Sequence, residues 1–320
     1  MKPFAFVFPG QGSQSVGMLD AWGDHPVVVE ALREASDALG EDLAQLIHDG
    51  PKEALALTTN TQPVMLVAAV AAYRVWMCET GVAPQAVAGH SLGEYSALVA
   101  AGVLTLSQAT PLVRFRAQAM QDAVPVGTGA MAAILGMDAA KVIAGCAEVT
   151  GAMRALGTEN GHEIVEAVNF NDPAQTVIAG SKAAVEKACE VLKASGAKRA
   201  LPLPVSAPFH SSLMKPAADK LKDKLASVTF AAPQIALVNN IDVAVEMDAD
   251  HIRHALFRQA FGPVRWVECV QAINARGLTT VVECGPGKVL AGMVKRIDAE
   301  MTGLPLFDPA SLIEVKGFLS

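Results

Sequence analysis

The stretch AVAGHSLGEYSA, residues 86–97, constrains this chain more than any other. A short apolar run ends in Gly89, then His90-Ser91-Leu92-Gly93 leads into residues of helical composition. G-x-S-x-G between a strand and a helix is the sequence form of a nucleophile elbow, a sharp turn that lifts a serine hydroxyl clear of a sheet. Glycines flank the serine because side chains would clash there. Ser91 also stands near a helix N-terminus, whose N–H groups favour a developing anion. A glycine-rich turn with a serine N-cap is the simpler alternative, and the strand-helix setting favours the elbow.

The rest of the chain supplies a sheet for such a turn. FAFVF (4–8), IALVNN (235–240) and LTTVVECG (278–285) read as further strands, and 61–81, 105–124, 249–260 and 287–299 as helices. Thr61 is a candidate N-cap with Pro63 in the first turn and Gly81 past the end. Thr105 and Gln108 have capping-box spacing, and Pro111 is placed to bend the early turns of their helix. Alternating strands and helices argue for a parallel α/β sheet. The middle has another rhythm. Residues 130–137, 162–170, 174–180 and 198–205 are strand-like, while 138–150 and 182–196 are helix-like. That order, βαββαβ, is the ferredoxin-like plan. The expected organisation is a large α/β domain, 1–128 and 205–320, with a small ferredoxin-like domain, 129–204, inserted. Beyond about residue 300 no motif is readable.

Composition removes several function classes. Of 320 residues, 52% are hydrophobic and 18% charged, which excludes disorder. The longest clean apolar run, VMLVAAVAAY (64–73), stops at Arg74, short of the roughly 20 residues of a membrane span. No membrane role is expected, and MKPFAFVFPG reads as a first strand without a signal peptide's apolar core. Five scattered cysteines, an odd number with no CxxC pair, suggest reduced thiols in a cytoplasm. Net charge is −7 with no long Lys/Arg run, so no nucleic-acid partner is expected. His251 and His254 have i,i+3 spacing, but two ligands do not make a metal site; no metal is expected.

The opening loop, FVFPGQGSQSVGM (6–18), invites a nucleotide reading. Gly10 and Gly12 fit a dinucleotide fingerprint, but Ser15 occupies the third glycine position, and no G-x-x-x-x-G-K follows. A rigid loop after the first strand suits another role, that of the second backbone N–H of an oxyanion hole. A tight turn and nothing more is the alternative.

GQGSQ, GHSLGEYSA, FRAQAMQ, VNFNDPAQTVIAG, APFHSSLMKPAADKL, NNIDV and GPGKVL occur in this order. Together they resemble the malonyl-CoA:acyl carrier protein transacylases of bacterial fatty acid synthesis, an acyltransferase fold shared with polyketide synthases. The resemblance runs from residue 4 to about 297. It implies an α/β-hydrolase-like large domain beside the ferredoxin-like one. It also implies a ping-pong transfer of malonyl from malonyl-CoA to acyl carrier protein, with CoA thioester as substrate and no cofactor. Ser91 would carry the acyl group. His210, in SAPFHSS, would be its general base and acid, oriented by the backbone carbonyl of Gln259 where no Asp or Glu stands out for that role. The oxyanion hole would use the N–H groups of Gln11 and Leu92. Arg114 and Arg116 both lie on helix 105–124, about 200° apart, so one can face the site, and spacing does not say which. The family pattern selects Arg116 for the malonyl carboxylate. It also implies His90, Asn169, Asn171 and Phe209 at the substrate; turn capping before Pro173 is the alternative for the two asparagines, and plain packing for Phe209. His25 and His48 read as surface residues and His162 as part of a TENGHE loop. Two basic clusters, Lys182, Lys187, Lys193, Lys198 and Arg199, and Lys288, Lys295 and Arg296, are candidates for meeting an acidic carrier protein. A serine esterase with the same elbow, a polyketide transacylase and a carrier-binding module remain alternatives.

Overall fold

The computed structural model describes residues 1–155, 163–205 and 207–320; His162 lies outside the described residues. In chain order the elements are β1 (Ala5–Phe8), α1 (Pro26–Leu39), α2 (Leu43–Asp49), α3 (Lys52–Ala56), α4 (Thr58–Thr80), β2 (Ala86–Gly89), α5 (Gly93–Ala100) and α6 (Leu106–Gln121). Then come β3 (Gly129–Leu135), α7 (Ala139–Ala155), β4 (Val165–Asp172), β5 (Gln175–Ser181), α8 (Lys182–Ala194), β6 (Arg199–Pro202) and α9 (Lys215–Ala226). The last are β7 (Ala236–Val238), α10 (Ala249–Gln259), α11 (Trp266–Ala275), β8 (Thr280–Cys284), α12 (Val289–Ile297), β9 (Thr302–Leu306) and α13 (Pro309–Leu319). These group into two compact units. One comprises Met1–Gln118, Lys224–Arg253 and Glu268–Ser320; the other comprises Ala119–Asp223 and His254–Val267.

The first unit carries a parallel sheet in the order β7-β2-β1-β8-β9. Numbered by their own sequence, these strands run 3-2-1-4-5, a doubly wound order whose functional loops gather at the carboxyl ends. Phe4, Phe6 and Phe8 meet Tyr73 and Trp76 of α4 edge to face. Helix α4 is apolar on all sides because it is a core helix. By length and composition it could cross a membrane, yet most of it is buried inside this unit. It also starts earlier than its sequence suggests. Thr61 is not an N-cap: it lies inside the helix, and its hydroxyl donates to the Leu55 and Leu57 carbonyls. The capping box at α6 forms, with the Thr105 N–H on Gln108 Oε1 (2.9 Å) and the Gln108 N–H on Thr105 Oγ1 (3.2 Å).

Residues past 300, unreadable as sequence, form β9 and α13. Strand β9, TGLPL, pairs with β8 at the sheet edge, where a proline is tolerated. Helix α13 begins with an Asp308–Ser311 capping box.

Glu283 on β8 is buried, and its Oε2 accepts the N–H of Ala291 (2.8 Å) in the first turn of α12. Burial pushes its carboxyl up to about 7 from 4.5, against the pull of the helix N–H groups. Between those values the folded chain holds a proton that the unfolded chain has released. Stability therefore falls as pH rises from 4.5 to about 7 and levels off above, by on the order of 3 kcal/mol. Glu283→Gln keeps an acceptor for Ala291, so its denaturant midpoint should vary less across pH 5 to 8 (roughly the titration window above) than that of the wild type.

The second unit carries the antiparallel sheet β4-β5-β3-β6, the ferredoxin-like order for βαββαβ. Helices α7 and α8 cover one face, their Val142, Val149, Val185 and Leu192 forming one core with Ile134 and Ile178 of the sheet. Met131, Ala133, Val168, Val177 and Ala179 line the other face, with Phe209 packed on them. The segment 129–204 holds all four strands, but the compact unit also takes in 119–128, 205–223 and 254–267. Part of the reason is backbone pairing: the Phe170 N–H donates to Val264 O (3.0 Å), and the Val264 N–H to Val168 O (2.8 Å).

Candidate active site

Three non-glycine residues among those described have positive φ: Ser91 (52°), His210 (66°) and Val243 (59°). Such angles cost energy in L-residues and collect where function requires them. Two of the three are the residues the sequence singles out for nucleophile and base.

In the first unit, β1 and β2 run in register with Phe8 opposite Gly89, and the His90 N–H donates to Phe8 O (3.0 Å). The chain then doubles back, and the Gly93 N–H donates to His90 O (2.9 Å). A Cβ on Gly89 would lie 1.9 Å from the Gly93 carbonyl, and one on Gly93 would lie 2.0 Å from Phe8 O. Backbone blocks both, so Gly93→Ala should cost more than about 4 kcal/mol, read as lost soluble yield or a collapsed thermal transition.

The turn is clamped from β7. Asn240, just past that strand, accepts the Ser91 N–H on Oδ1 (2.8 Å) and donates Nδ2 to Gly89 O (2.7 Å). Its own N–H donates to the buried Glu94 carboxylate (2.9 Å). Leu92 has helical angles directly ahead of α5, among the N–H groups that a helix start leaves without an intrahelical acceptor. Beside the elbow runs the loop after β1: a Cβ on Gly10 would lie 2.6 Å from His90 O and 3.5 Å from His90 Nδ1. Gln11 follows, its side-chain carbonyl held by the Thr58 hydroxyl (2.8 Å). Helix α1 begins only at Pro26, so no helix N-terminus directly follows this loop as a phosphate site needs.

Of the two arginines on α6, Arg116 is the one at the elbow serine. It is buried, donates Nη1 to Gln62 Oε1 (2.8 Å) and Nη2 to Ser91 Oγ (3.2 Å), and its guanidinium lies 5.5 Å from the Tyr95 ring centroid. Burial lowers its pKa, while Tyr95 and Glu94 oppose that. Burial likewise pushes the Tyr95 phenol up to about 12. Arg114, two residues earlier, turns away to Glu41.

In the second unit, His210 is buried and its Nδ1 lies 2.9 Å from the carbonyl oxygen of Gln259, the last residue of α10. With Nδ1–H donating to that carbonyl, Nε2 keeps its lone pair. The turn around it is fixed by Ser211 Oγ on Pro208 O (2.7 Å) and by the Ser212 N–H on Glu166 Oε2 (2.6 Å). Asn169 sits at a bulge of β4, buried, its Oδ1 without a partner among the described residues. Asn171 is buried in the same strand. The turn at Pro173 is closed instead by Asp172, which accepts the Ala174 N–H (2.9 Å).

Four further histidines have partners of their own. His48 pairs with Asp20 at the surface, His25 meets the Trp22 ring edge on, His251 lies 3.4 Å from Glu246, and His254 accepts from Arg258. Gln62, Glu94 and Asn240 carry the elbow and the arginine, yet sequence reasoning gave them no role. Gln62 is hidden in an apolar helix. The NN of NNIDV was the one available signal for Asn240.

The model of the acyl transferase domain matches residues 5–303. The malonyl CoA-acyl carrier protein transacylase of Escherichia coli K12 is 52% identical, over 98% of both chains. The chain belongs to this transacylase family. Among solved structures, the acyl-carrier-protein S-malonyltransferase of Burkholderia pseudomallei 1710b is 65% identical over 98% of this chain and 99% of that one, with a TM-score of 0.93. A malonyl-transacylase solved in complex with its type II polyketide synthase acyl-carrier protein is 51% identical over 98% of each chain, also at TM-score 0.93. In this chain the elbow carries Ser91, and Arg116 lies beside its oxygen.

Proposed function

We propose that this chain transfers malonyl from coenzyme A to the phosphopantetheine thiol of acyl carrier protein through an ester on Ser91. In the first half-reaction Ser91 Oγ attacks the thioester carbonyl and His210 Nε2 takes its proton. The carbon–sulfur bond breaks, and the departing thiolate recovers that proton as CoA thiol. In the second, the carrier thiol attacks the Ser91 ester by the same steps in reverse. The N–H groups of Gln11 and Leu92 stabilise the oxyanion in both; one such donor is worth roughly 10²–10³ in rate. Gln259 holds His210 in the tautomer that keeps the basic lone pair on Nε2. His90, Asn169 and Phe209 shape the acyl and pantetheine path, with Asn169 Oδ1 offering a buried acceptor. Nucleophile, base and cation are all side chains, so the reaction calls for no cofactor. The cysteines are unbridged, in keeping with a reducing cytoplasm. Lys182, Lys187, Lys193, Lys198 and Arg199, all exposed on the second unit, and Lys288, Lys295 and Arg296, exposed on the first, are the surfaces proposed to meet the acidic carrier.

One observation carries this reading: a buried guanidinium donating to the elbow serine. A hydrolase of neutral esters has no use for a cation there, whereas an acyl group ending in a carboxylate does. The test is intact-protein mass spectrometry after exposure to malonyl-CoA, followed by addition of holo acyl carrier protein. The reading expects a malonyl adduct on Ser91 that moves to the carrier. Free malonate released as fast as carrier is loaded would make the chain an esterase, and no adduct would make it a binding module.

A further inference from the structure

Helix α4 buries three polar side chains in its first turns, Thr58, Thr61 and Gln62. The Thr61 hydroxyl is occupied by the Leu55 and Leu57 carbonyls. Thr58 and Gln62, four residues apart, share a helix face. Arg116 Nη1 donates to Gln62 Oε1 (2.8 Å), Gln62 Nε2 donates to Thr58 Oγ1 (3.4 Å), and Thr58 Oγ1 donates to Gln11 Oε1 (2.8 Å). The senses agree throughout: an amide whose oxygen accepts from arginine has its nitrogen left to donate. A hydroxyl that accepts from that nitrogen then gives its one proton to Gln11.

We propose that Thr58 is a positioning residue that couples the acyl-carboxylate arginine to the oxyanion loop. The inference rests on the reading of Ser91 as nucleophile and Arg116 as carboxylate ligand. Gln11 stands between Gly10, packed against the His90 carbonyl, and Gly12 at φ 115°, so the set of its amide depends on the contacts of its neighbours. Its side chain is tied to α4 through Thr58. A carboxylate that fixes the guanidinium fixes Gln62, and through Thr58 it fixes the amide of Gln11. A malonyl group thus sharpens the oxyanion hole that processes it, and an acetyl group does not.

The test is rapid-quench acylation of Ser91 by malonyl-CoA and acetyl-CoA, in wild type, Thr58→Val, Thr58→Ser, Arg116→Ala and the Thr58→Val/Arg116→Ala double variant. Thr58→Val should slow malonyl acylation up to about 30-fold with KM within about twofold, and acetyl acylation by less than about threefold. Thr58→Ser should recover the malonyl rate. In the Arg116→Ala background Thr58→Val should cost little more. Equal losses for both acyl groups, additive losses in the double variant, or no recovery with serine would overturn the coupling. Thr58→Ala replaces valine if that variant does not fold. An absent Ser91 ester in the wild type would instead overturn the reading beneath it.

Discussion

Arg116→Ala should invert the acyl preference of this protein. Malonyl-CoA would bring its carboxylate to a site whose cation is gone, and an unpaired buried charge costs several kcal/mol. The expected fall in kcat/KM for malonyl-CoA is on the order of 10³. Acetyl-CoA, with no charge to satisfy, should be accepted as well as before or better, and competitive acylation with both thioesters reads the ratio directly. Arg116→Lys should recover only part of the loss, because an ammonium cannot present the forked donors that grip both carboxylate oxygens. Truncation also takes the Arg116 donor from the buried Gln62 Oε1, at an expected cost of about 1–3 kcal/mol in stability, which a thermal melt reads beside the kinetics.

Ser91→Ala should abolish transfer. With no oxygen to acylate, the ester cannot form, and a residual rate at least about 10⁴ below wild type is expected. The fold should survive, because the Ser91 contact to Asn240 is made by its backbone N–H. Alanine tolerates the φ of 52° about as poorly as serine does, so the melting temperature should stay within a few degrees. Stopped-flow release of CoA thiol separates this from a binding defect: the variant should bind malonyl-CoA and show no burst. A burst of wild-type size would remove Ser91 from the mechanism.

What could be read in advance follows the range of the interactions. The elbow was legible because steric demand is local: Gly89 and Gly93 are required by atoms within a few residues of each other and by β1 alongside. The βαββαβ order was legible because each element has its own period. The start of α4 was misplaced because Thr61 imitates a cap while tertiary burial extends the helix back to Thr58. Strand β9 was missed because a Gly and a Pro within five residues break the strand pattern, and only pairing to β8 makes it one. Arg116 could be told from Arg114 only by resemblance, since both have equal claim by spacing. The choice becomes physical once Glu41 takes one and Gln62 the other. For Asn240 the NN of NNIDV gave a position but no role, because the role comes from β7 lying next to β2.

That adjacency sets a timetable. The hydroxyl of residue 91 is made early, while the amide that braces it follows 149 residues later. On the ribosome, then, a half-finished polypeptide would display the serine without the posture that makes it reactive. Thioesters in the surrounding cell would be spared attack by shorter nascent chains, and competence would arrive only after residue 240 has emerged.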